Sequence, residues 1–68
     1  MSSLQKFGQN LKKARESKNL TQEELATKAD LSANYFAKIE RGEINITFKT
    51  LYKIVIALKT KSSEILPF

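Results

Sequence analysis

Leu20-Thr21-Gln22-Glu23-Glu24-Leu25-Ala26-Thr27-Lys28-Ala29-Asp30-Leu31-Ser32-Ala33-Asn34-Tyr35-Phe36-Ala37-Lys38-Ile39-Glu40-Arg41-Gly42 is the segment on which the fold turns. Thr21 is followed three residues later by Glu24, a capping box in which the Thr21 hydroxyl accepts from the Glu24 amide and the Glu24 carboxylate accepts from the Thr21 amide. Leu25, Ala26 and Ala29 then make a short apolar face, and Leu20, ahead of the cap, is placed to staple onto Leu25. A helix of about two turns is marginal by itself, so packing must hold it. Asp30-Leu31 breaks it. Ser32 is a good N-cap for a second short helix running through Glu40, with Phe36 and Ile39 pointing inward and Gly42 as its left-handed stop.

Outward from this pair, helical periodicity continues in both directions. Leu4, Phe7, Leu11, Ala14 and Arg15 recur at three- and four-residue steps. Ser3 is positioned to cap that first helix, and Lys18-Asn19 to end it. Lys6, Lys12, Lys13 and Glu16 make its solvated face. Glu43 to Ile46 is a loop whose isoleucines tuck under it. Thr47 caps a fourth helix with Phe48, Leu51, Ile54, Val55 and Leu58 as its apolar positions. A short fifth turn is expected at 62–66, before Pro67-Phe68. The fold expected is all-α, a compact five-helix domain over residues 1–68, with the two-helix unit at about 21–41 and a C-terminal dimerisation turn at about 62–68.

Composition narrows the chemistry. The chain has 68 residues, enough for one small core. Twelve Lys and Arg stand against seven Asp and Glu, a net charge of +5. The absence of Cys excludes disulfides, thiolate zinc sites and cysteine nucleophiles; with no His, imidazole sites are gone too. No metal and no cofactor is expected. Ser, Thr, Tyr and Lys are present, but no base is arranged to activate them, so an enzyme is not expected. The longest apolar run, Ile54 to Leu58, is far short of a bilayer span, and Met1 to Gln5 lacks a signal-peptide apolar region. A cytoplasmic protein with no membrane partner is the expectation.

Thr21 to Ala26, then Leu31-Ser32, then Ile39 to Gly42, set among Leu11, Arg15, Leu51 and Leu58, resemble the phage-repressor (Xre/Cro/C1) type of helix-turn-helix domain. Within it the chain is most similar to the compact controller proteins of restriction-modification systems, through Tyr35, Glu40-Arg41-Gly42 followed by Asn45-Ile46, and an ending soon after the fifth turn. One departure is Asp30, which stands where the family often has Gly. Asp adopts a left-handed backbone less easily, so the usual turn is expected there with local strain.

The resemblance implies that the early part of the second unit helix enters the DNA major groove, which brings Ala33, Asn34, Tyr35, Ala37 and Lys38 to the bases. Asn34 suits adenine N6 and N7, Lys38 suits guanine O6 and N7, and Ala33 or Ala37 suits a thymine methyl. Tyr35 suits a base or a phosphate. The alternative for Asn34 and Lys38 is a plain solvated surface. Gln22 is implied as the phosphate anchor, with Arg41, Asn45, Thr47, Lys49 and Lys12 as further backbone contacts, although Thr47 is a cap in any case. The resemblance also implies an Arg15–Glu40 bridge that holds the recognition helix.

Charge is unevenly spread. Residues 21–46 carry three basic and five acidic groups, while both flanks are basic. Ile44, Ile46, Ile56, Ile65, Leu66 and Phe68 are the expected dimer contact, the alternative for Ile65 and Leu66 being a cap on the monomer core. Together these point to a sequence-specific transcriptional regulator, a homodimer on a palindromic operator in double-stranded DNA. It would repress by blocking RNA polymerase or activate by touching it. An antitoxin or a prophage repressor is the alternative, and no small-molecule ligand is evident.

Overall fold

The computed structural model describes residues 2–68. Four α-helices follow in order: α1 (Ser3–Ser17), α2 (Gln22–Lys28), α3 (Ala33–Glu40) and α4 (Phe48–Leu58), and a single 3-10 turn covers Ser62–Glu64. No strand occurs among the described residues. The expected fifth helix is thus a correction: it is one 3-10 turn without a side-chain cap. Pro67 supplies no amide and disfavours helical geometry at Leu66, so a second turn has nothing to build on.

Each α-helix begins on a hydroxyl. The side chains of Ser2, Thr21, Ser32 and Thr47 accept from the amides of Gln5, Glu24, Tyr35 and Thr50. The first cap is Ser2, not Ser3, because Gln5 three residues on closes a capping box around it. Each helix also ends on one left-handed residue: Asn19, Asp30, Gly42 and Lys59, with φ of 57°, 58°, 73° and 55°. The paired amide bonds that follow are those of the Schellman motif, for example Asp30 N to Thr27 O at 3.1 Å and Leu31 N to Ala26 O at 2.8 Å. Asp30 therefore makes the left-handed turn expected of it.

Leu11, Leu25, Phe36, Ile39, Ile54, Leu58 and Ile65 are completely buried and form one core with Phe7, Ala26 and Ala29. Each such side chain contributes about 1.5–3 kcal/mol by leaving water. The helices α1 and α2 both pack on α3, and α4 packs on α2. The approach of α1 to α3 is close. A Cβ on Gly8 would fall 2.7 Å from the carbonyl carbon of Glu40 and 2.9 Å from Ile39 O, so only glycine fits. Asn10 on α1 donates through Nδ2 to the carbonyls of Ile65 and Leu66, at 3.3 and 3.4 Å, fastening the C-terminal turn over the core.

Candidate nucleic-acid interface

Helix α3 divides by periodicity. Phe36, Ile39 and Glu40 are buried, whereas Asn34 and Lys38, one turn apart, are exposed on the outer face. Ala33, Tyr35 and Ala37 lie half-buried between them, with Ala33 and Tyr35 packed on the core. Of the five residues expected at the bases, Asn34 and Lys38 thus present free polar ends, and the others present only an edge.

The end of α3 is fixed by ionic bonds. Arg15 Nε donates to Glu40 Oε2 at 2.7 Å and Arg15 Nη2 to Glu40 Oε1 at 3.3 Å. Arg15 Nη1 donates to Leu20 O at 2.7 Å, securing the α1–α2 connection. The hydrogen bond with Glu40 raises the Arg15 pKa further. Gln22, the first residue of α2, donates through Nε2 to Glu40 Oε1 at 2.8 Å. Nothing in the local sequence signals this last bond, because the two residues are 18 apart and meet only when α2 and α3 pack.

The remaining candidates for phosphate contact fall in two places. Lys12 lies beside Arg41 and Glu43 in a polar cleft that Gln5, Gln9 and Glu40 complete. Arg41 Nε there donates to Glu43 Oε2 at 2.6 Å, an exposed pair that raises the arginine's pKa and lowers the glutamate's. Asn45, Thr47 and Lys49 are exposed on the loop and the first turn of α4. The Thr47 hydroxyl caps α4 by accepting from Thr50 N at 3.1 Å, and it donates to Thr50 Oγ1 at 3.2 Å.

The acidic excess of the two-helix unit is largely met by partners. Arg15 from α1 answers Glu40, and Lys53 from α4 lies 3.8 Å from Asp30, while Arg41 answers Glu43. The Glu24 carboxylate accepts from the Thr21 amide, which lowers its pKa.

The residues expected at a dimer contact do not share one environment. Ile65 is completely buried in the core of its own chain, so its side chain cannot serve a partner; this corrects the expectation. Ile44, Ile46 and Leu66 are half-buried against the core. Ile56 (58% exposed) and Phe68 (95%) do face outward. Phe48 (82%) and Tyr52 (60%) join Ile56 in a stripe at four-residue steps along α4. Phe48 was expected only as one of the apolar positions of the fourth helix. The buried line of α4 runs through Ile54 and Leu58, and Phe48 falls at its edge.

Two short helices crossing at a tight turn, the second with a buried face locked to the core and a polar face outward, define a helix-turn-helix DNA-binding module. The helix-turn-helix family matches residues 11–65, and the chain belongs to that family. It is 40% identical over 63 residues to the control protein C.BamHI of Bacillus amyloliquefaciens, covering 91% of this chain and 78% of that one. It is 43% identical over 58 residues to the immunity repressor of Bacillus phage phi105, covering 85% of this chain and 40% of the repressor. The crystal structure of the restriction-modification controller protein C.AhdI from Aeromonas hydrophila superposes with a TM-score of 0.90 at 36% identity, covering 93% of this chain and 96% of that one. The chain is accordingly a DNA-binding transcriptional regulator homologous to restriction-modification controller proteins, and not an enzyme. No helix among the described residues is long and apolar enough to cross a membrane.

Proposed function

We propose that the chain acts in the cytoplasm as a homodimeric controller protein on a two-fold symmetric operator, with Asn34 and Lys38 reading base edges. The observation that carries this is the outward placement of Asn34 and Lys38 on a helix whose opposite face is buried and ionically fixed. Asn and Lys at such positions discriminate adenine and guanine in the major groove. Ala33 and Ala37 lie alongside to meet thymine methyl groups, and Tyr35 offers its hydroxyl at the rim. Lys12, Gln22, Arg41, Asn45, Thr47 and Lys49 hold the sugar-phosphate backbone and set register without reading sequence.

Dimerisation runs through the exposed apolar stripe of α4, Phe48, Tyr52 and Ile56, together with Phe68. A two-fold dimer sets its recognition helices about 34 Å apart, one turn of DNA. Bound near a promoter, such a dimer blocks RNA polymerase or contacts it, according to operator position.

Selection of bound duplexes from random DNA tests the function. The expected result is a palindromic site, and Asn34→Ala is expected to lose about 1–3 kcal/mol on that site and little on scrambled DNA. Equal losses on both duplexes would count against base reading by Asn34. A prophage repressor is the second reading, favoured by the likeness to the phi105 immunity repressor. Finding methyltransferase and endonuclease genes beside this one would support the controller role, and finding phage genes there the repressor.

A further inference from the structure

Three ion pairs form among the described residues: Arg15–Glu40, Lys53–Asp30 and Arg41–Glu43. Only the last engages a cation assigned above to the DNA backbone. It is a two-pronged bond, with Arg41 Nε donating to Glu43 Oε2 at 2.6 Å and Arg41 Nη2 to Glu43 Oε1 at 3.2 Å. That edge of a guanidinium is the one that fits two oxygens of a phosphate. The backbone between the two residues holds them in place. Gly42 turns left-handed at φ 73°, packed so closely on Gln5 that no Cβ fits, and Glu43 N donates to Lys38 O at 3.0 Å. The carboxylate is thereby set at the exit of α3, where the charge of Lys38 also attracts it. Lys12, which lines the same cleft, has no acidic partner among the described residues.

We propose that Glu43 occupies the phosphate site of Arg41 in the free protein, so that DNA must displace it, and that Glu43 thereby sets the affinity of the chain for DNA of any sequence. This rests on the phosphate role of Arg41 proposed above. One edge of a guanidinium cannot hold two anions. When a phosphate takes that edge, the carboxylate is released beside a polyanion, and the chain loses one ion pair as it gains another. The exchange also releases fewer counterions than the docking of a free arginine. Both side chains are about half exposed, at 53% and 50%, and such pairs are weak in water, so the competitor lowers affinity without abolishing it. Phosphates carry no sequence information, so the effect is the same on every duplex.

The experiment uses the full chain, a preferred duplex selected from random DNA and a scrambled duplex. Dissociation constants are measured across a salt series for wild type, Glu43→Gln, Arg41→Ala and the double variant. Glu43→Gln keeps the size of the side chain and removes its charge. It is expected to bind both duplexes about threefold more tightly at low salt. Its salt slope should be steeper than that of wild type by about one. Arg41→Ala weakens binding to both duplexes and flattens the slope. In the Arg41→Ala background the gain from Glu43→Gln is much smaller, because no guanidinium is left to free. In the free protein the Arg41 Nε–H resonance differs between wild type and Glu43→Gln, and in the DNA complex the two coincide. Three outcomes would overturn the proposal. The first is no gain from Glu43→Gln. The second is a gain undiminished without Arg41, which makes Glu43 a bystander charge. The third is Arg41 resonances that still differ in the complex, which means that the arginine keeps its glutamate on DNA. An Arg41→Ala variant with wild-type affinity and slope instead overturns the phosphate role of Arg41 itself.

Discussion

Arg15 and Glu40 meet in a bond of 2.7 Å that joins α1 to the last residue of the recognition helix, with their side chains only 9% and 3% exposed. The same guanidinium donates to the carbonyl of Leu20, so one side chain ties together α1, the α1–α2 connection and α3. Taking both ions out of water offsets much of their attraction, and the pair adds little net stability. Removing one partner is another matter, because the other is left buried and uncompensated. Glu40→Ala is expected to cost about 3–5 kcal/mol in urea unfolding. Replacing both, as Arg15→Met with Glu40→Leu, recovers most of that loss. A double variant as unstable as the single one would mean that geometry, not charge burial, sets the cost.

Acid unfolding has an identifiable local contribution. The Thr21 backbone amide donates to the Glu24 carboxylate at 2.8 Å, and the Glu24 amide donates to the Thr21 hydroxyl at 3.0 Å. The bond from the Thr21 amide lowers the Glu24 pKa, and the hydrogen bond from Arg41 lowers that of Glu43. A carboxyl with a depressed folded pKa contributes stability that is present above its unfolded value, about 4.3, and is lost as pH falls through the folded value. Melting temperature is therefore expected to fall below about pH 4.3. Glu24→Gln keeps an acceptor for the Thr21 amide but removes that titration, so its melting curve against pH should be flatter. An unchanged pH profile would remove Glu24 from the account.

The left-handed helix ends make a prediction of opposite signs. Lys59 closes α4 at φ 55°, where a residue with a Cβ is strained by about 1 kcal/mol or more. Lys59→Gly is expected to raise stability by about 1 kcal/mol, read as a higher urea midpoint at constant slope. Gly42→Ala should lower it by at least about 1 kcal/mol. Its φ is 73°, and the added Cβ would lie 2.7 Å from Gln5 Cα, a backbone atom that cannot give way.

What the sequence revealed follows the range of the interactions. Thr21, Ser32 and Thr47 were legible as caps because a cap and its amide lie three residues apart, and Asp30 and Gly42 were legible as stops for the same reason. Phe36, Ile39, Leu11 and Leu58 were legible as core from helical spacing. The Arg15–Glu40 pair came from family likeness, since 25 residues separate its members. Gly8 against Glu40, Asn10 against Ile65 and Leu66, and Gln22 against Glu40 were not legible, because each depends on how two elements pack. The outward turn of Phe48 was hidden too, since an apolar residue at the margin of a buried stripe carries no local mark of the side it takes.

Assembly supplies the last prediction. Phe48, Tyr52 and Ile56 recur at four-residue steps on the solvent side of α4, while Ile54 and Leu58 of the same helix are completely buried. A carboxylate at an exposed position costs the monomer little, but at the centre of an apolar contact it must be desolvated without a partner. Wild type is expected to sediment as a dimer, and Ile56→Asp and Tyr52→Asp are expected to keep its helical circular dichroism but to sediment at the monomer mass. Ile65→Asp separates the two effects, because its side chain lies wholly within its own core and its replacement should unfold the chain. A folded Ile56→Asp variant that still sediments as a dimer would move the contact away from α4.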